Sequence, residues 1–198
     1  MKKNTLILAI IFILSQAVIT AQNQLPPALK SVIPDKYKIT YELYHKADFI
    51  VNIDISLEFP SKYGCDDNLK DPSRIDIGIN SIGNKDFAKM QEDMVPFSNY
   101  LPTKESHRPQ IDALDAITEY SETKIIDLPR GRGAYYTWAH QCIQAQHNIY
   151  QGVSLSTMFG NHSTRISIGV NGNIDASEAI SVVNELYGIL ENINFQNL

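Results

Sequence analysis

The chain has 198 residues, of which 43% are hydrophobic and 20% are charged, and its formal net charge is −5 at pH 7. This composition is typical of a globular protein with one core, and it excludes low-complexity disorder, collagen and a multi-pass membrane protein. The excess of acidic residues also excludes nucleic acid as an expected partner, because bulk electrostatics oppose binding to phosphate.

Residues 1–21 have the organisation of a cleavable signal peptide. A pair of lysines is followed by an apolar stretch from Leu6 and by the small residue Ala21, after which we expect cleavage. A membrane anchor is the alternative, but the apolar stretch has about 14 residues, whereas a helix needs about 20 to cross a bilayer. We therefore expect an exported protein, periplasmic or secreted, whose mature domain at 22–198 has no stable membrane insertion.

Cys65 and Cys142 are the two cysteines of the chain, and both belong to the mature part. An oxidising compartment allows them to pair. Such a disulfide would close a loop of about 77 residues and stabilise the fold by roughly 4 kcal/mol in the chain-entropy model. Two buried free thiols are the alternative, because the sequence does not show that the two residues lie close in space.

The mature chain begins with a proline-containing segment and continues into strands. Residues 25–34 contain three prolines and predict an irregular lead-in. Residues 37–59 alternate between apolar and polar side chains, with a polar break at 45–48, and predict two strands joined by a short turn. In the first of these strands, alternation places four apolar residues on one face: Tyr37, Ile39, Tyr41 and Leu43.

The middle of the chain predicts a third strand and two helices. Residues 75–79 alternate isoleucine with polar residues, as in a half-buried strand. Asn84 is a suitable N-cap for a short helix that ends before Pro96. Residues 110–120 fit neither the helical nor the strand period cleanly, and we assign them as a second helix.

The last part of the chain predicts two hairpins and a long helix. Turn residues at 129–133 and at 160–163 each separate two strand-like segments. With Asp175 or Ser177 as N-cap, apolar residues then recur at helical spacing and predict an amphipathic helix of about 17 residues. The elements together predict an α+β fold, in which an antiparallel sheet of five to seven strands is packed by helices.

In its order of elements, the chain resembles the Mog1/PsbP-like α/β/α sandwich proteins. The lead-in, the N-terminal hairpin, the late hairpin at 150–170 and the terminal helix closing at 190–195 carry this resemblance. It implies a sandwich fold and a non-enzymatic binding or assembly role. It transfers no functional residue, because the chain matches no motif of that family and because a fold does not determine a function.

The sequence carries no metal-binding motif. His140 and Cys142 are two residues apart on a predicted strand, with His147 close behind, but the spacings CxxC, HxH and HExxH are absent. The acidic loop at 66–71 lacks the EF-hand pattern, and we expect neither the GxSxG nor the SxxK signature of serine hydrolases. We expect no metal and no cofactor. An enzyme is the less favoured class. Its example would be a small hydrolase that uses His140, His147 or Cys142.

The residues most typical of a binding surface surround a predicted hairpin tip. Arginine and aromatic side chains carry much of the binding energy at protein interfaces. Five such residues form the candidate binding site: Arg130, Arg132, Tyr135, Tyr136 and Trp138. Strand alternation places Tyr135 on the face opposite Tyr136 and Trp138, so one set is expected in the core. The alternative is an exposed basic turn above a buried aromatic row.

The sequence therefore predicts an exported, non-enzymatic binding module that acts through protein–protein contacts. Its specific form is an immunity or inhibitor protein that neutralises a toxin or enzyme in the envelope, since an acidic surface captures a basic partner rapidly. The alternatives are a small secreted hydrolase and an accessory protein for envelope assembly or glycan handling. The sequence does not determine the oligomeric state.

Overall fold

A computed structural model describes residues 24–65, 70–83, 118–142, 149–161 and 163–198. The predicted signal peptide at 1–21 and the predicted helix that begins at Asn84 lie outside these residues. The strands are β1 (Lys38–Ala47), β2 (Ile50–Phe59), β3 (Ser73–Ile82), β4 (Thr118–Tyr120), β5 (Lys124–Leu128), β6 (Gly131–Gln141), β7 (Ile149–Asn161) and β8 (Thr164–Gly172). The helices are α1 (Pro27–Lys30), α2 (Ala176–Leu190) and a C-terminal 3-10 helix (Phe195–Asn197).

All eight strands form one sheet, in the order β1-β2-β3-β8-β7-β6-β4, and every pair is antiparallel. Two short strands share the outer edge of β6. β5 pairs with the first half of β6, from Gly131 to Tyr135, and β4 pairs with Trp138 to His140. β6 is longer than either partner, so both are needed to satisfy the backbone groups along its edge.

The expected α+β class is wrong, because the sheet dominates the described part of the chain. Eight strands form instead of five to seven, and α2 is the one helix there that is longer than a single turn. The end of the helix assigned to 110–120 is strand β4. The helical pattern of these residues is weak. The segment therefore adopts the strand conformation in which its backbone hydrogen-bonds to the end of β6 that β5 does not reach.

The first predicted strand is confirmed, but its predicted face is wrong. Ile39 pairs with Leu57 and Tyr41 pairs with Ser56, so the register shifts between them and Thr40 is an extra residue. A bulge of this kind reverses the alternation of all residues that follow it. Ile39 and Tyr44 therefore pack against the core, whereas Tyr41 points to the opposite face and is 52% exposed.

One face of the sheet is covered. α2 packs on β7 and β8, and the 3-10 helix packs on β2 and β3. Leu25 and Leu29 of the lead-in join the same core. The lead-in is irregular apart from the four residues of α1, as predicted. The core strands contribute mainly Val51, Ile53, Ile55, Leu57, Ile75, Ile77, Ile79, Val153, Leu155, Ile166, Ile168 and Val170.

Both predicted hairpins and the terminal helix are confirmed. The turn between β5 and β6 consists of Pro129 and Arg130, which is shorter than expected. Arg130 has a φ of 64°, a left-handed conformation that costs a non-glycine residue about 1 kcal/mol. α2 has 15 residues, and its buried stripe holds Ala179, Val182, Val183, Leu186, Tyr187 and Leu190.

The two cysteines form a disulfide, as one of the two sequence alternatives predicted. Cys65 lies in the β2–β3 loop and Cys142 directly follows β6, with their Cα atoms 5.6 Å apart. The same loop is tied to the end of β8, because the backbone N–H groups of Lys62 and Tyr63 both donate to Asn173 O at 3.0 Å. The loop thus crosses one end of the sheet from β2 to β6.

Candidate functional site

The sheet has a second face, opposite α2, and over β1, β2, β3 and β8 it is polar. The side chains there come from the strand positions that alternate with the core residues, so the same period that builds the core also builds this surface. We call it the polar face and define it by its residues, of which Leu43 is the one with an aliphatic side chain: Tyr41, Leu43, His45, Asn52, Asp54, Ser56, Glu58, Arg74, Asp76, Gly78, Asn80, Arg165, Ser167, Gly169 and Asn171. Within the described ranges, no helix packs on it.

A depression of about 490 Å³ lies in the polar face. We call it the polar depression. Its floor is low at Gly78, where a Cβ atom would lie 2.7 Å from Ser167 Oγ. Small side chains in the centre and longer ones at the rim therefore produce the concavity. Its side-chain lining consists of Tyr41, Asp54, Ser56, Arg74, Asp76 and Ser167.

Three of these side chains bind one another. Arg74 Nε donates to Asp76 Oδ1 at 2.9 Å, and Ser56 Oγ donates to the same oxygen at 2.7 Å. Arg74 Nη2 also donates to Ser56 Oγ at 3.2 Å. The positive charge of Arg74 is therefore compensated within the depression by Asp76. The triangle is positioned by the β2–β3 register, in which Ser56 and Asp76 are direct partners.

Asp54 and Tyr41 differ from this triangle, because within the described residues neither side chain makes a hydrogen bond or an ion pair. Asp54 is exposed and pairs across the strands with Gly78 on one side and Leu43 on the other. Tyr41 lies diagonally from it, since Tyr41 pairs with Ser56. The depression thus presents one uncompensated carboxylate beside one exposed aromatic ring.

An aromatic cluster occupies the same face over β4, β6 and β7. The rings of Tyr120 and Tyr136 are 5.9 Å apart, and Tyr150 lies 5.7 Å from Trp138 and 5.0 Å from His140. All five rings are half-buried. Trp138 lies directly over β7 at Gly152, where a Cβ atom would be 2.2 Å from its Cζ2. The indole is therefore packed on the sheet backbone.

The structure does not bring the five predicted binding residues to one surface. Tyr135 is on the covered side and packs against the core, as alternation predicted for one of the two sets. Arg130 Nη1 donates to Glu191 Oε2 at 2.8 Å, at the end of α2. Arg132 is exposed on the face that holds Tyr136 and Trp138, and its Nε lies 3.3 Å from Asp127 Oδ1.

Sequence reasoning missed the polar depression, because Asp54, Arg74 and Asp76 are ordinary outward residues until the strands are aligned.

Of the three residues of the hydrolase alternative, the structure describes His140 and Cys142. Cys142 is oxidised in the disulfide, so it offers no thiolate, and His147 lies outside the described residues. The expected absence of an SxxK spacing is wrong, because residues 121–124 have this spacing, which occurs in some serine hydrolases. Ser121 Oγ, however, donates to Glu122 O and accepts from Thr137 N, both at 2.9 Å. In the described ranges, no group of three His, Cys, Asp or Glu side chains is placed to hold a metal ion.

Two ion pairs fix the covered side. Asp175 accepts hydrogen bonds from Lys62 Nζ at 2.5 Å and from Tyr63 OH at 2.8 Å, and the bond from Lys62 is the main cause of its lowered pKa. Glu185 likewise accepts from Lys36 Nζ at 2.6 Å and Tyr37 OH at 2.9 Å, which lowers its pKa. Burial, reinforced by Glu185, raises the pKa of Tyr37. These groups attach the lead-in and the β2–β3 loop to α2.

Comparison of the chain with family models, with curated proteins and with solved structures finds no match. The resemblance to Mog1/PsbP-like proteins therefore stays a prediction. A search of the described residues for a helix long and apolar enough to cross a membrane also finds none.

Proposed function

We propose that this chain is an exported, non-enzymatic binding protein that recognises a protein partner through the polar face of its sheet. The observation that carries the proposal is the polar depression, where Asp54 and Tyr41 are exposed and are not used by the fold. A side chain that only solubilises a sheet needs no concave surroundings, whereas binding sites combine a depression with a few unsatisfied polar groups.

Export is supported by two independent features. The N-terminal 21 residues have the pattern of a signal peptide, and the Cys65–Cys142 disulfide is typical of proteins in an oxidising compartment. We infer a periplasmic or secreted location from these two features together.

The size of the polar face supports a protein as the partner. β1, β2 and β3 have ten residues each and β8 has nine. At about 3.4 Å per residue and about 4.8 Å between strands, four such strands span on the order of 600 Å². A stable protein interface buries about 800 Å² on each partner, so this face and its rim are large enough for one. Arg165 and Tyr41 supply exposed side chains of the types enriched at interfaces.

The specific form of the proposal is an immunity or inhibitor protein that neutralises a toxin or enzyme in the envelope. The net charge of the chain, −5, supports a basic partner, because opposite net charges accelerate association. In this form, the polar face covers part of the partner and the disulfide keeps the surface stable outside the cell.

The proposal is tested by capturing partners from the cell envelope with residues 22–198, followed by mass spectrometry and quantitative binding to the captured protein. Arg165→Ala removes an exposed arginine side chain from the polar face and is expected to weaken binding by at least tenfold, because arginine is among the residues that carry most of the binding energy at interfaces. Lys124→Ala makes the same charge change on an exposed residue of β5, at the other edge of the sheet, and serves as the matched control. Equal affinities of the two variants, or the absence of any stoichiometric partner, would refute the polar face as the binding surface.

A further inference from the structure

We propose that the polar depression receives an arginine side chain of the protein partner. The inference rests on the proposed function and deepens it, because it names the chemical group recognised at the centre of the polar face. It follows from the charges that the fold leaves uncompensated there.

The first step is the charge balance of the depression. Asp76 is paired with Arg74, and the pair is completed by the hydroxyl of Ser56. The carboxylate of Asp54 is left without a counter-charge among the described residues that line the depression. The net charge of the lining is therefore −1, which favours a cation and disfavours phosphate or a carboxylate as the occupant.

The second step is the aromatic ring beside this carboxylate. Tyr41 is 52% exposed, although a large aromatic side chain is usually buried when the fold has room for it. The bulge at Thr40 turns this ring outward, so its exposure is produced by a specific distortion of β1. An aromatic face attracts a cation that lies over it, and arginine is the residue found there most often.

The third step is the match between the two groups and a guanidinium ion. Its planar fork donates two parallel hydrogen bonds to a carboxylate, while its flat surface stacks on an aromatic ring. The depression offers the carboxylate of Asp54 and the ring of Tyr41 together, with the hydroxyl of Ser167 and the low floor at Gly78 between the strands. A lysine ammonium ion would use the carboxylate but not the planar geometry. We therefore assign arginine.

The probe for this site is N-acetyl-arginine amide, titrated into the isotope-labelled mature domain and followed by the backbone amide resonances. We expect saturable shifts centred on residues 54–56 and 76–78. Asp54→Asn and Tyr41→Leu should each weaken binding about three- to tenfold, the range of an exposed ion pair or cation–π contact. Asp35→Asn removes the same charge from an exposed residue of the lead-in and should leave binding unchanged.

Three outcomes would overturn the inference. Equal weakening by Asp54→Asn and Asp35→Asn would show that the net charge of the protein attracts the probe. Equal binding of N-acetyl-citrulline amide, which has the same shape without the charge, would exclude recognition of a cation. Stronger shifts with a neutral disaccharide such as maltose would identify the depression as a sugar site.

The same variants separate this inference from the proposed function. If Arg165→Ala weakens partner binding while Asp54→Asn and Tyr41→Leu leave it intact, the polar face binds the partner without an arginine in the depression. If the probe binds as expected but Arg165→Ala has no effect on binding of the captured partner, the arginine site exists and the proposed interface is wrong.

Discussion

The carboxylate of Asp175 binds Lys62 Nζ at 2.5 Å, although Asp175 is the N-cap residue of α2 and makes no side-chain bond to its own helix. An N-cap carboxylate usually accepts a hydrogen bond from the backbone of the first turn. Here the chain uses it to attach the β2–β3 loop, through Lys62 and Tyr63, to the start of the helix. Gln151 of β7 adds a weaker contact at 3.3 Å.

This arrangement predicts a loss of stability in acid. The pKa values of Asp175 and Glu185 are lowered in the folded state, chiefly by Lys62 and Lys36 respectively, so below about pH 5 the unfolded chain binds more protons. The contribution is complete above the ordinary carboxyl pKa and is lost as the pH falls through the lowered values. We expect the urea midpoint to decrease from pH 5 towards pH 2. The double variant Asp175→Asn, Glu185→Gln should flatten this decrease, and curves that stay parallel would contradict the assignment.

Removal of the disulfide is expected to destabilise the protein substantially. Cys65→Ser with Cys142→Ser opens a loop of 77 residues, and the chain-entropy model places the loss at roughly 4 kcal/mol. Urea unfolding of the oxidised protein and of the double variant measures the difference. A reductant should lower the stability of the former to that of the latter, and should leave the double variant itself unchanged. A difference below about 1 kcal/mol would mean that the bonds from Lys62 and Tyr63 to Asn173 hold the loop unaided.

Gly152 is predicted to be intolerant of any side chain. A Cβ atom there would lie 2.2 Å from Trp138 Cζ2 and 2.7 Å from Gly172 O, so Gly152→Ala must displace the indole and is expected to cost about 1–3 kcal/mol. Trp138 is the single tryptophan, and its fluorescence should shift as well. Gly188→Ala is the matched control, because nothing lies within 4 Å of a Cβ atom at that helical position. It should stabilise the protein by roughly 0.5–1 kcal/mol. Identical effects of the two variants would refute this account of Trp138.

Arg130 is expected to contribute to the fold in two opposing ways. Its positive φ costs about 1 kcal/mol, whereas its exposed ion pair with Glu191 contributes about 0.2–1 kcal/mol. Arg130→Gly removes both, so we expect its unfolding free energy to equal or slightly exceed that of the wild type. Glu191→Gln removes the ion pair alone and should be slightly destabilising. A large loss of stability in Arg130→Gly would show that the ion pair outweighs the backbone strain.

The sequence by itself determined the features that depend on local pattern. Alternation at 50–59 and 75–79, the turn chemistry near 129–133 and 160–163, and the apolar stripe after Asp175 each predicted an element that the structure contains. These predictions succeed because burial of one face imposes a period on the residues of each element. The pairing of Cys65 with Cys142 was one of two open alternatives until the sheet brought residue 65 near the end of β6.

Other features were decided by the tertiary structure alone. The bulge at Thr40 depends on how β1 aligns with β2, and it places Tyr41 on the polar face against the simple alternation. β4 exists because β6 offers unpaired backbone groups beyond the end of β5. The polar depression combines residues of β1, β2, β3 and β8, which are up to 126 positions apart, from Tyr41 to Ser167. No local period encodes such a meeting, because the register between strands, set by packing of the whole core, decides which outward side chains become neighbours.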